Sequence, residues 1–100
     1  MTKLFTEENT IENSRYNDYE NKVLIIKPEW LKEAYRTPEN QLFLAKSGFG
    51  CDPSKVGTAV YGVFLIDGES LNMRRGDFLG IIKDENLPEW AREKLKSLEN

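Results

Sequence analysis

Lys22 and Lys27 bracket an unbroken apolar run, Val23 to Ile26, that is rich in β-branched side chains and stops just before Pro28. So short a run predicts a strand buried on both faces, since a helix needs several turns to present an apolar stripe. Pro28 suits the first turn of a helix, and "PEWLKEAY" (28–35) puts Leu31, Ala34 and Tyr35 on one side. That helix must be short, because Thr37 precedes Pro38 and the residue before a proline is pushed out of helical geometry. "QLFLAK" (41–46) and "GTAVYGVFLI" (57–66) carry apolar residues on both alternating faces, as central strands do. Asp67-Gly68 then predicts a two-residue hairpin turn. Its partner "ESLNMRR" (69–75) alternates, with Leu71 and Met73 facing one way and Ser70, Asn72 and Arg74 the other. "DFLGIIK" (77–83) predicts a fifth strand. The closing segment "NLPEWAREKLKSLEN" (86–100) predicts a helix, with Asn86 and Glu89 at capping-box spacing, Pro88 in the first turn, and Leu87, Ala91, Leu95 and Leu98 as its stripe. The tripeptide PEW opens both helices, but proline and glutamate favour helix starts anyway and the strands before them do not match, so no duplication is inferred.

The pattern predicts an α+β fold: about five mostly antiparallel strands, a short inserted helix, and a C-terminal helix packed on the sheet. Residues 22–100 form the single domain. Ahead of it, residues 1–21 read as a polar lead-in in which Asn9, Asn13, Asn17 and Asn21 recur every fourth place. Asparagine competes with the backbone for hydrogen bonds, so a helix gains little from that spacing. The same segment offers an acidic, tyrosine-bearing contact strip: Tyr16, Asp18, Tyr19 and Glu20.

Seventeen acidic and fourteen basic residues leave a net charge of −3, which provides neither the basic surplus of a phosphate gripper nor the acidic excess of a full duplex mimic. One cysteine and no histidine point to a reducing, cytoplasmic setting, and no run reaches the length of a membrane span. The loop from Ser47 tests poorly as a phosphate cradle. Lys55 precedes Gly57 with no Gly-Lys-Ser/Thr, and Pro53 stands where a dinucleotide fingerprint asks for glycine. Cys51 lacks a histidine base, with only Lys46 and Lys55 near it in sequence. Paired acids such as Glu7/Glu8 and Asp84/Glu85 lie in polar turns where no carboxyl would be tuned. Hence no catalytic residue, metal site or cofactor is expected. Phe49, between two glycines, is either a core anchor or a contact aromatic. Arg74 and Arg75, with Asp77 across a turn, read either as a charged edge with a local ion pair or as an arginine fork aimed at a carboxylate or phosphate of a partner.

The segments "VLIIKPEWL", "TPENQLFLA", "GFGC", "GTAVYGVFL", "DGE" and "RRGDFLG", within residues 22–83, resemble a small domain of Gram-positive plasmids, conjugative elements and phages, of the large polyvalent protein-associated type. The pattern of that family has glycine where Ser47 stands. In length, acidity and lack of catalytic side chains the chain is also similar to type II-A anti-CRISPR proteins. Those resemblances imply a non-enzymatic inhibitor in a bacterial host cell. It would bind a type II CRISPR RNA-guided nuclease and block guide RNA loading or target DNA engagement, with partner contacts expected from Tyr16, Asp18, Tyr19, Glu20, Phe49, Arg74, Arg75 and Asp77. The rival reading is a nucleic-acid-binding accessory domain using Lys46, Lys55, Arg74, Arg75 and a stacking aromatic, Phe49 or Tyr61.

Overall fold

Val23–Ile26 forms strand β1 with all four side chains buried, as an apolar run between lysines requires. A computed structural model describes residues 4–50 and 57–99 of the chain. Helix α1 (Pro28–Glu33) follows, then β2 (Leu42–Ser47), β3 (Ala59–Phe64), β4 (Ser70–Arg74), β5 (Phe78–Ile81) and helix α2 (Glu89–Glu99). The strands make one sheet in the order β4-β3-β2-β1-β5, with every neighbouring pair antiparallel. This is the predicted α+β class.

The connection between β4 and β5 shapes the sheet. They are its two edges, yet only the 3-10 turn Arg75–Asp77 separates them in sequence. In a flat sheet they would stand four strand spacings apart, about 19 Å. Four Cα steps cover at most about 15 Å when extended, and a 3-10 turn covers less. The sheet therefore curls until its edges converge. Met73 of β4 and Phe78 of β5 accordingly share one concave core with Leu24, Ile26, Phe43 and Phe64. Phe43 lies 5.4 Å from Phe78 and 5.7 Å from Phe64, centroid to centroid. On the convex side Val23, Ile25, Leu42 and Leu44 pack under Ala91, Trp90 and Leu95 of α2.

Several boundaries differ from the sequence reading. β3 ends at Phe64, and the hairpin is a four-residue loop: Gly68 N–H donates to the Phe64 carbonyl, and Phe64 N–H to Glu69. Leu65 and Ile66 look like strand but sit in the turn, each packing with a different core. α1 ends before Tyr35, whose side chain is 95% exposed. α2 starts at Glu89, with the Pro88 carbonyl accepting from Ala91 and Arg92. Asn86 is thus no cap, and its Oδ1 accepts instead from Asn9 at 2.9 Å.

The polar lead-in is part of the fold. Ile11 N–H donates to Ile81, and Ser14 Oγ accepts from Ile81 N–H at 2.8 Å, so residues 9–14 cover the β5 edge. Buried Gln41 accepts from Phe5 N–H and donates to the carbonyls of Phe5 and Ile26. The four asparagines mark turns: Asn13 and Asn21 both adopt φ of 61°, a left-handed conformation asparagine tolerates. Asn9 Oδ1 accepts from Thr6 N–H, and the Asn17 carbonyl accepts from Gly50.

Candidate functional site

The lead-in's second half runs along the loop after β2. Asp18 bridges Phe49 in antiparallel fashion, Tyr19 N–H donates to Gly48 at 3.1 Å, and Gly50 N–H donates to Asn17 at 2.8 Å. Gly48 lets this loop lie close against β3: it has φ of +133°, and a Cβ there would stand 3.0 Å from Val60. Arg75 reaches the same place from the far end of the sheet. Its Nη1 donates to the Gly50 carbonyl at 3.2 Å, and its own N–H to Thr58 at 2.8 Å. Three segments distant in sequence thereby form one surface, with Tyr16 and Phe49 49% and 40% exposed beside exposed Asp18. Tyr16 also borders a shallow cleft of about 280 Å³ that Thr10, Ile11, Ser14 and Leu79 help to line.

Two of the expected contact residues serve the fold instead. Tyr19 is fully buried, its ring edge-on to Phe78 at 5.8 Å, because the strip turns inward between Asp18 and Glu20. It cannot belong to an exposed strip. Asp77 is committed locally: Oδ2 accepts from Arg74 N–H at 3.0 Å, and its carbonyl from Lys27 N–H at 2.9 Å. The carboxylate therefore closes the turn between β4 and β5. Arg74 is exposed on β4 next to the patch, and Glu20 is exposed in the turn leading to β1. Cys51, Pro53 and Lys55 lie outside the described residues, and among those described no three His, Cys, Asp or Glu side chains gather as metal ligands.

At the other end of the molecule is an ion pair that sequence patterning did not suggest. Arg36 Nη1 and Nη2 meet Glu69 Oε2 and Oε1 at 2.7 and 3.1 Å, and the guanidinium carbon lies 5.2 Å from the Phe64 ring centre. Hydrogen bonds from Arg36 hold the Glu69 carboxyl below its ordinary value; partial desolvation opposes this and charge attraction adds to it. The partners are 33 positions apart, so only the folded sheet brings them together.

The fold and this surface define a small α+β domain with an aromatic and charged patch at the meeting of three segments. No helix among the described residues is long and apolar enough to cross a membrane. No protein-family model matches the chain, nor does any curated protein or solved structure.

Proposed function

We propose that this domain works by occupying the surface of another macromolecule, and that the partner is a type II CRISPR RNA-guided nuclease whose guide RNA loading or target DNA engagement it blocks. The observation that carries this reading is the Asp18–Phe49 bridge with Arg75 bonded to Gly50, which sets Asp18 beside Phe49 on backbone already fixed, two positions along the chain from exposed Tyr16. Aromatic and arginine side chains supply most of the energy in protein interfaces, and a preformed patch loses little freedom on docking. Asp18 and Glu20 are the exposed carboxylates of the strip, the groups suited to face the cationic channels through which such a nuclease holds nucleic acid, with Arg75 at its margin. The resemblance to mobile-element and anti-CRISPR proteins supplies the identity of the partner. No chemical step is assigned to the domain.

The test is a pull-down of the nuclease with and without its guide RNA, followed by a cleavage assay. The wild-type chain is expected to co-purify and to suppress cleavage. The double variant Asp18→Lys/Glu20→Lys, still folded by its melting curve, is expected to lose at least tenfold in inhibitory potency, since like charges facing a cationic channel cost about 1–3 kcal/mol. Absence of any complex in either state of the nuclease would overturn the reading.

A further inference from the structure

The α2 helix covers only part of the convex face of the sheet. Under it lie Val23, Leu42 and Leu44, with Val63 at the margin. Beyond Val63 the same face of β3 continues to Tyr61, which is 43% exposed. Tyr61 and Val63 share a face because strand side chains alternate. Across one ladder Tyr61 stands opposite Asn72, with Arg74 diagonal to it opposite Ala59. Across the other, the register shifts between Ala45 and Ser47, so that Ser47 rather than Lys46 pairs with Tyr61. A bulge of this kind places two residues opposite one. Lys46 and Ser47 are consequently both exposed, and Lys46 lines a hollow with Val23 and Leu44, which fixes it on the convex side. The result is an exposed aromatic ring with a lysine on the strand to one side and an arginine diagonal to it on the strand to the other.

We propose that this open part of the sheet binds single-stranded nucleic acid, with Tyr61 stacking on a base and Lys46 and Arg74 meeting the flanking phosphates. Charge complementarity selects that occupant. Strands β2, β3 and β4 contain no carboxylate at all, although the whole chain is acidic by three charges. A stacking ring between cations on a sheet is the arrangement that holds unpaired bases without reading their sequence, because every base has a π face. A duplex buries its bases in the stack and offers the ring nothing. Asn72, directly across the ladder, adds an amide donor and acceptor beside the stacked base. The inference does not rest on the inhibitor reading.

The experiment is fluorescence anisotropy of the purified chain with labelled RNA and DNA oligonucleotides of about ten nucleotides, a length suited to a site of this kind, and with the matching duplex. No nuclease is present, so failure here leaves the inhibitor reading untouched, and loss of nuclease inhibition leaves this one untouched. Both single strands should bind at low salt and the duplex more weakly. Two phosphate contacts predict that affinity falls about sevenfold for a fourfold rise in salt. Tyr61→Ala should weaken binding about fivefold or more while Tyr61→Phe keeps it, because stacking needs the ring and not the hydroxyl. Lys46→Gln/Arg74→Gln should weaken binding and flatten its salt dependence, and these exposed positions keep the question decidable should Tyr61→Ala unfold. No binding of either single strand at low salt, equal or tighter binding of the duplex, or binding unchanged in the charge variants would overturn the proposal.

Discussion

Tyr35 occupies a position where glycine is the usual residue. Arg36 N–H donates to the Leu31 carbonyl at 2.8 Å and Tyr35 N–H to Lys32 at 3.3 Å, the paired bonds that close a helix through a left-handed residue. Tyr35 is that residue, with φ of 56°. A side chain in this conformation costs about 1 kcal/mol relative to glycine, and the ring recovers none of it by burial, being 95% exposed. Tyr35→Gly is therefore expected to raise stability by about 0.5–1 kcal/mol, read as a higher denaturant midpoint at unchanged slope. An unchanged or lower midpoint would show that the ring contributes to the folded state. Gly80 illustrates the opposite case: with φ of +150°, a Cβ there would lie 2.6 Å from Ser14 Oγ, the atom that accepts from Ile81. No sequence pattern distinguishes these two residues, because one depends on a helix terminus and the other on a segment that arrives from outside the sheet.

Among elements, the hairpin and α1 are fastened together by Arg36 and Glu69. Because the folded Glu69 carboxyl is held below its ordinary value, the pair stabilises fully above the unfolded glutamate value and is lost as pH falls through the folded one. The contribution is small, since both side chains are partly exposed and salt screens them. Acid titration of stability should thus be shallower below about pH 5 in Glu69→Gln than in the wild type, and high salt should narrow the difference. Identical titrations at low salt would show that the pair adds nothing. Strand existence was legible from apolar runs, but strand ends were not. Leu65 and Ile66 continue the apolar pattern of β3, yet they sit in a turn that buries Leu65 in one core and packs half-buried Ile66 against the other. The α2 stripe was readable for the same reason, since Ala91 and Leu95 pack on the sheet. Its start was not, because Asn86 bonds to Asn9, 77 residues away.

For the whole molecule, residues 5–20 close the fold rather than precede it. Removing residues 1–21 would expose the cavity filled by Tyr19, leave Ile81 N–H without Ser14, and deprive buried Gln41 of both its bonds to Phe5, so that its Oε1 has no partner there. Burial of one large side chain is worth about 1.5–3 kcal/mol, and each orphaned buried polar group costs about 1–3. Their sum approaches the total stability of a small domain, about 5–15 kcal/mol. A chain starting at Lys22 should lack a cooperative thermal transition, and a sharp transition near the full-length midpoint would restore the lead-in to a separate segment. The candidate site depends on the same closure. Its residues were individually nameable, Phe49 only as either a core anchor or a contact aromatic, but sequence placed Tyr16, Phe49 and Arg75 in three unrelated stretches and put Tyr19 on the wrong side.

What the sequence determined alone is the alternation of buried and solvated positions: five strands, two helices, one class of fold. Those follow from local rules, because a side chain's need for burial recurs with the period of its own backbone. The tertiary structure decided the strand order, the curl that a three-residue link between opposite edges imposes, and which polar groups meet. Such pairings rest on contacts between distant residues, and chain closure, which no local pattern encodes, selects among them.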